Sequence, residues 1–342
     1  MKKELIIFNL ETNLDSPVLA AAHDWVESFS KEFDRVKVYS THVGRFALPI
    51  HVEVSEIGGG SIFTRLTALV RLLRVGMASV NSKDDIVVLH HMSTYSAVIL
   101  GPIFRLFGIK QGLWYSHSIK SISLVVASRF VDAIFSSSPD ALPLKSSKNV
   151  FVGHGINLER FKRIVNSEQN RRGIVSLGRY APVKNYERYL ELASEFKELK
   201  FDIYGPTGHP EYRDELVNTF ESKNPNVKLL GSVNYLQVPN LLSRYEYFYS
   251  GTPKSVDKAA IEAALSGCFI LSVNPATVEV SGMGEVWNHI GIKSPKDISN
   301  QIRELQFTCL DKDELRELLV MSAQRRNNLE SLTSQISESL SQ

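Results

Sequence analysis

Short, almost uninterrupted apolar runs alternate with helix-patterned stretches along most of the chain, and that alternation limits the folds open to it. The runs are Leu5–Asn9, Val36–Ser40, Ile86–His90, Gln111–Ser116, Ala133–Ser136 and Asn149–Val152. Helical spacing falls between them at Val18–Glu32, Phe63–Val80, Tyr95–Phe107 and Ile122–Phe130. Strands apolar on both sides and separated by helices predict a parallel sheet covered on both faces. After the polar interval Leu158–Arg172, read as a linker, the pattern restarts. Strands are expected at Gly173–Leu177, Lys200–Tyr204, Val227–Leu230, Tyr245–Tyr249, Phe269–Ser272 and Gly284–Trp287. Helices are expected at Lys184–Leu199, Tyr212–Lys223, Val238–Leu242 and Asp257–Leu265, and the segment Asp311–Leu340 is helical in pattern. The expected fold class is α/β: two Rossmann-like, doubly wound domains, residues 1–160 and 170–326.

Composition narrows the function classes. A chain of 342 residues, 43% hydrophobic, can bury two domain-sized cores. Net charge is +5 through residue 165 and −3 beyond it. That asymmetry is too mild for a nucleic-acid binder, which concentrates its basic residues on one face. Cys268 and Cys309 are far apart and are both read as reduced core residues. The opening run is too short for a signal peptide or a membrane span, so a soluble cytoplasmic protein is expected.

Two stretches carry candidate chemistry. In Gly251–Ser272 a Gly-Thr loop leads through Ser255, Val256 and Asp257 into an Ala-rich helix containing Lys258 and Glu262, then a glycine stop and a buried strand. A helix start of this kind offers unpaired N–H groups and a positive dipole end to a phosphate. Glu262 would sit roughly 7 Å further along by helical rise, within reach of a ribose. By itself the stretch reads equally well as a packed αβ unit with a solvent-facing glutamate. In Ile174–Tyr186 an apolar strand ends at Gly178, followed by Arg179 and, after a proline turn, by Lys184. A guanidinium fork and an ammonium on one loop suit a diphosphate.

Together these stretches resemble the donor-binding half of the retaining GT-B glycosyltransferases of family four, the Gly-Arg-x-x-Pro-x-Lys turn being the more specific. The resemblance runs on, in order, through Asp15-Ser16-Pro17, Val87–Met92, Leu113–His117, Ser136–Pro139, Gly153–Asn157, Ile203–Pro206 and Leu229–Val233. It implies two domains facing each other across a cleft, with the final helix, about residues 327–342, packing back on the first. It implies that His117 reaches the donor sugar and that Arg179 and Lys184 stabilise the leaving diphosphate, these three being the catalytic candidates. Gly178, Gly205, Pro206, Val233 and the 254–258 run would line the donor pocket, with Glu262 on the ribose. No metal is expected, nor an Asp-x-Asp pair to hold one. The family's usual glutamate eight residues before the ribose-binding one is replaced here by Lys254, a departure that leaves donor choice open.

The implied function is retaining transfer of a hexose from a nucleoside-diphosphate sugar to a glycan or lipid-linked acceptor, in surface polysaccharide or glycoconjugate synthesis. The alternatives are a sugar-nucleotide epimerase and a non-catalytic carbohydrate-binding relative. His90 and His91 end one strand, His117 ends another and His154 follows a third, forming a second candidate group without the acidic or cysteine partners of a zinc site. The triglycine 58–60 reads as a loop before a helix. The basic, apolar helix Thr64–Arg74 has the composition of a membrane-surface helix and of a core helix with snorkelling arginines. The core-packed reading is adopted, with peripheral membrane contact as the alternative.

Overall fold

The computed structural model describes residues 4–58, 62–81, 85–162, 171–253 and 255–341, side chains 62–65 excepted. The strands are β1 (Glu4–Thr12), β2 (Arg35–Val43), β3 (Val52–Glu56), β4 (Ile86–His91), β5 (Lys110–Trp114), β6 (Ala133–Ser136), β7 (Asn149–Phe151), β8 (Ile174–Leu177), β9 (Phe201–Tyr204), β10 (Val227–Leu230), β11 (Tyr247–Tyr249) and β12 (Phe269–Leu271). They form a seven-stranded sheet in the order β3-β2-β1-β4-β5-β6-β7 and a five-stranded sheet in the order β10-β9-β8-β11-β12. The ladders of both sheets are parallel. In each sheet the strand order reverses once, between β1 and β4 and between β8 and β11. These reversals are the switch points beside which such sheets bind ligands, at the carboxyl ends of the strands.

The chain divides into two compact units, residues 1–155 with 329–342, and residues 156–328. In the first, the helix Ala21–Phe29 packs against the C-terminal helix Leu329–Ser341. Trp25, Phe29, Leu332 and Ile336 share one buried cluster there. Ser28 and Thr333 join their hydroxyls at 2.8 Å inside that contact. The other face of the sheet is closed by Leu72, Leu100 and Phe104, packed with Ile6, Phe8, Ile86 and Val88. The second unit has one continuous core, in which Tyr186, Tyr189, Tyr247, Tyr249 and Trp287 are fully buried.

Several sequence expectations need correction. The edge strand β3 lacks an apolar run, because only Val52 of its five residues is buried. Gly284–Trp287 is no strand but part of the helix Met283–Ile290; Met283, Val286 and Trp287 lie at helical spacing and all three are buried. The helices Pro275–Val280 and Ile298–Phe307 were also invisible to the pattern. The last segment is two helices, Lys312–Asn327 and Leu329–Ser341, interrupted where Asn328 takes an extended conformation. Cys268 is buried, but Cys309 is exposed. The helix Ile62–Val80 is not simply core-packed: Leu66, Val70, Leu73 and Met77 are exposed along it. Among the described residues no helix is long and apolar enough to cross a membrane.

Candidate functional site

The topology brings the two candidate stretches together. Gly178 and Arg179 follow β8, and Gly251 and Thr252 follow β11, so the loops flank the switch point of the five-stranded sheet at its carboxyl edge. A third loop, Gly205-Pro206 after β9, lies against the first. A Cβ on Gly205 would fall 1.9 Å from the Gly178 carbonyl oxygen, so any side chain there would force the two loops apart. Tyr180 N–H then donates to the Pro206 carbonyl at 3.2 Å, and the buried Tyr180 hydroxyl donates to the carbonyls of Ile203 and Leu230.

Gly178 has φ of +148°, a conformation that favours glycine. Its missing side chain also makes room for Lys184, whose Cε and Nζ would lie 2.6 and 2.7 Å from a Cβ at that position. The turn from Pro182 to Lys184 is a single 3₁₀ turn, ended by Asn185 in the left-handed region at φ of +50°. Tyr249 of β11 fixes that strained residue by donating its hydroxyl to the Asn185 carbonyl at 2.9 Å.

Lys184 therefore points across the sheet edge and meets Asp257 at 2.6 Å. Asp257 is the N-cap of the helix Lys258–Leu265, where its other oxygen accepts from the Ala259 N–H. The helix starts on Asp257 alone; Ser255 lies outside it, with its carbonyl held, like that of Thr252, by the Asn274 side-chain amide. The two cations expected on this loop therefore stand in different surroundings. Lys184 is paired with Asp257, while Arg179 is exposed and has no ion pair or hydrogen bond among the described residues.

Glu262 is buried with a side-chain exposure of 7% and is held by neighbours on one oxygen. Oε1 accepts from Lys258 Nζ at 2.7 Å and from the Tyr235 hydroxyl at 3.2 Å. Lys258 Nζ also sits 5.1 Å from the centre of the Tyr235 ring, a cation–π contact. Oε2 takes no hydrogen bond among the described residues, so half of this carboxylate is available to a hydroxyl donor. Tyr235 had no signal in the sequence reading; an aromatic residue a few positions beyond Gly231 becomes informative only once the helix is placed beside it. Val256 is buried and Val233 is half-buried against the same core. Lys254 lies outside the described residues, as do Gly59, Gly60 and much of the interval read as a linker.

The histidines separate into two kinds. His90 is fully buried, with Nδ1 at 2.7 Å from the Ser96 hydroxyl and Nε2–H donating to Gln111 Oε1 at 3.3 Å. His91 contacts Asn9 Oδ1 at 3.1 Å and packs against Trp25. Burial lowers the pKa of both rings to about 4, so they are neutral core residues rather than site residues. His117 is different. It is exposed in the loop after β5 and lines a hollow of about 270 Å³ with Met92, Tyr115, Ser116 and Ile119. Its Nδ1 accepts from the Ile119 N–H at 3.1 Å, and Nε2 has no hydrogen bond among the described residues. Met92 is held at φ of +57° on the rim of this hollow. His154 is half-buried after β7.

One Asp-x-Asp spacing does occur, at Asp311-Lys312-Asp313. It caps a helix: Asp311 accepts from the Asp313 and Glu314 N–H groups, and Asp313 pairs with Arg316 at 3.2 Å. His23, Asp24 and Glu27 place ligand-type atoms within 4.8 Å of one another, but His23 Nε2 already accepts the Ala47 N–H.

No protein-family model matches the chain, and no curated protein matches it in sequence. Solved structures do match over the full length. HepE of Anabaena, determined in complex with UDP, superposes with a TM-score of 0.72 at 14% identity, covering 99% of each chain. AviGT4, a glycosyltransferase involved in avilamycin A biosynthesis, gives 0.68 at 16% identity over 99% of this chain and 97% of that one. The UDP-GlcNAc 2-epimerase of Methanocaldococcus jannaschii gives 0.54 at 12% identity over 97% and 98%. The fold is that of the GT-B glycosyltransferases, α/β with two Rossmann-like units.

Proposed function

We propose that the protein is a retaining glycosyltransferase that takes a hexose from a nucleoside-diphosphate sugar and passes it to a glycan or lipid-linked acceptor. One observation carries the reading. At the switch point of the five-stranded sheet, two glycine-shaped loops are tied together by Lys184 and Asp257, with Arg179 exposed on the first and the start of the Glu262 helix on the second. In this reading a diphosphate meets the Arg179 guanidinium and the helix N-terminus beside that tie, and a ribose hydroxyl meets Glu262 Oε2. These groups bind and orient the donor and stabilise the departing negative charge, a contribution that rests on positioning and electrostatics. In the same-face route, the leaving diphosphate takes the acceptor proton. His117, assigned by resemblance, hydrogen-bonds the donor sugar, and no metal is required. The solved relatives with UDP or a glycosyltransferase assignment support the donor class.

The match to a UDP-GlcNAc 2-epimerase favours a second reading on the same fold. Incubation with donor alone separates the two, since an epimerase converts the sugar without an acceptor. A thermal-shift panel of UDP, GDP, ADP and their sugars tests the donor site directly. A ligand at a hundred times its dissociation constant adds about 2.7 kcal/mol of stability. No shift with any nucleotide would overturn the reading.

A further inference from the structure

The helix Ile62–Val80 carries two apolar faces, where a helix covering one side of a sheet needs only one. Inward, Leu72 is buried, and Gly76 sits so close to Leu100 that a Cβ on it would come within 2.7 Å of that side chain. Outward, Leu66, Val70, Leu73 and Met77 are 65, 41, 37 and 54% exposed. Their spacing of four, three and four residues sets them in a single row roughly 16 Å long. Arg71 and Arg74 are exposed on the same helix, and residues 62–80 include no acidic side chain. Arg71 rests one nitrogen on the Ile57 carbonyl at 3.2 Å, and neither arginine has an ion pair among the described residues.

We propose that this face docks on an anionic lipid bilayer, with Leu66, Val70, Leu73 and Met77 entering the boundary between headgroups and acyl chains. Arg74, roughly 70° round the helix from the row, then meets the lipid phosphates, and Arg71, farther round and resting on the Ile57 carbonyl, adds positive charge near the same surface. Charge decides against a second copy as the occupant. The row would also serve as a helix-pairing seam, but two copies would bring only cations to its margins, without carboxylates to pair them. The inference stands independently of the sugar chemistry proposed above.

The full chain is mixed with vesicles of phosphatidylcholine alone, or of phosphatidylcholine with phosphatidylglycerol, and bound protein is measured by flotation. Binding is expected on the anionic vesicles, weakened by added salt. Leu73→Glu with Met77→Glu should abolish it. Arg71→Gln with Arg74→Gln should weaken it roughly tenfold or more. Thermal melts confirm that both double variants are folded; with all four positions exposed, only small shifts are expected, from the Arg71–Ile57 hydrogen bond and the partly covered Leu73. Equal binding to both vesicle types, no binding by the wild type, or wild-type binding by either folded variant overturns the proposal. So does a concentration-dependent dimer that the Leu73→Glu, Met77→Glu variant loses while the wild type ignores lipid.

Discussion

Lys184 Nζ and Asp257 Oδ2 meet at 2.6 Å, although 73 residues separate them along the chain. Both side chains are mostly withdrawn from water, at 17 and 9% exposure, so this pair is screened far less than a surface ion pair. It couples the loop after β8 to the first turn of the helix after β11. A change at either end therefore reaches both walls of the candidate donor site.

Arg179 and Lys184 should fail in different ways. Arg179→Ala removes an exposed guanidinium and should weaken nucleoside diphosphate binding with no change in melting temperature. Lys184→Ala also strands Asp257 without its partner, and loss of this charged hydrogen bond should cost about 1.5–3 kcal/mol of stability. Calorimetric titration with a nucleoside diphosphate and with the free nucleoside, beside thermal melts of both variants, gives the comparison. Equal losses for both ligands would remove the diphosphate assignment.

Glu262→Gln keeps the shape of the side chain while removing the charge that Lys258 neutralises. Donor affinity should fall by a factor of ten or more, since the free oxygen is the one assigned to the ribose. Stability should fall by about 0.5–1.5 kcal/mol, the ordinary worth of one hydrogen bond. Titration with a nucleoside and its 2′-deoxy form reads the ribose contact, and the variant should lose the discrimination between them. Retained discrimination would make Glu262 a partner of Lys258 and Tyr235 only.

His117→Ala should lower turnover and leave nucleoside diphosphate affinity and melting temperature as they were, because the ring is exposed and among the described residues is bonded only to the Ile119 N–H. Steady-state kinetics beside nucleotide titration separates the two effects. Full activity in the variant would place the histidine outside the reaction.

The buried imidazoles make stability depend on pH. His90 and His91 have folded pKa values near 4, below the ordinary 6.5 of the unfolded chain. The unfolded state therefore binds more protons between those values. The stability they contribute is complete above about pH 6.5 and is lost as the pH falls toward 4, on the order of 2 kcal/mol per histidine by about pH 5. Urea midpoints should fall over this window, and His91→Gln should flatten the fall by about half. A midpoint flat from about pH 7 to about pH 5 would show that the rings are not buried neutral groups.

The α/β class and most strands were legible because a strand in a covered parallel sheet must be apolar on both sides, and Ile86–His91 or Ile174–Leu177 can hardly be read otherwise. The loops around Gly178 and Gly251 were legible for a related reason: glycine, proline and a capping aspartate are local demands of the backbone. Tertiary packing decided what local pattern does not encode. The edge strand β3 is half solvated, so it lacks an apolar signature, and Met283–Ile290 became a helix because one side of it meets the core. His90 and His117 both stand at strand ends in the sequence, yet one lies in the interior and the other on a rim, according to where neighbouring helices close the sheet. The chain alone supplied Lys184 as a loop cation. Only the folded sheet, by setting β8 beside β11, gave it Asp257 as a partner, since a charge pair depends on distance in space rather than along the chain.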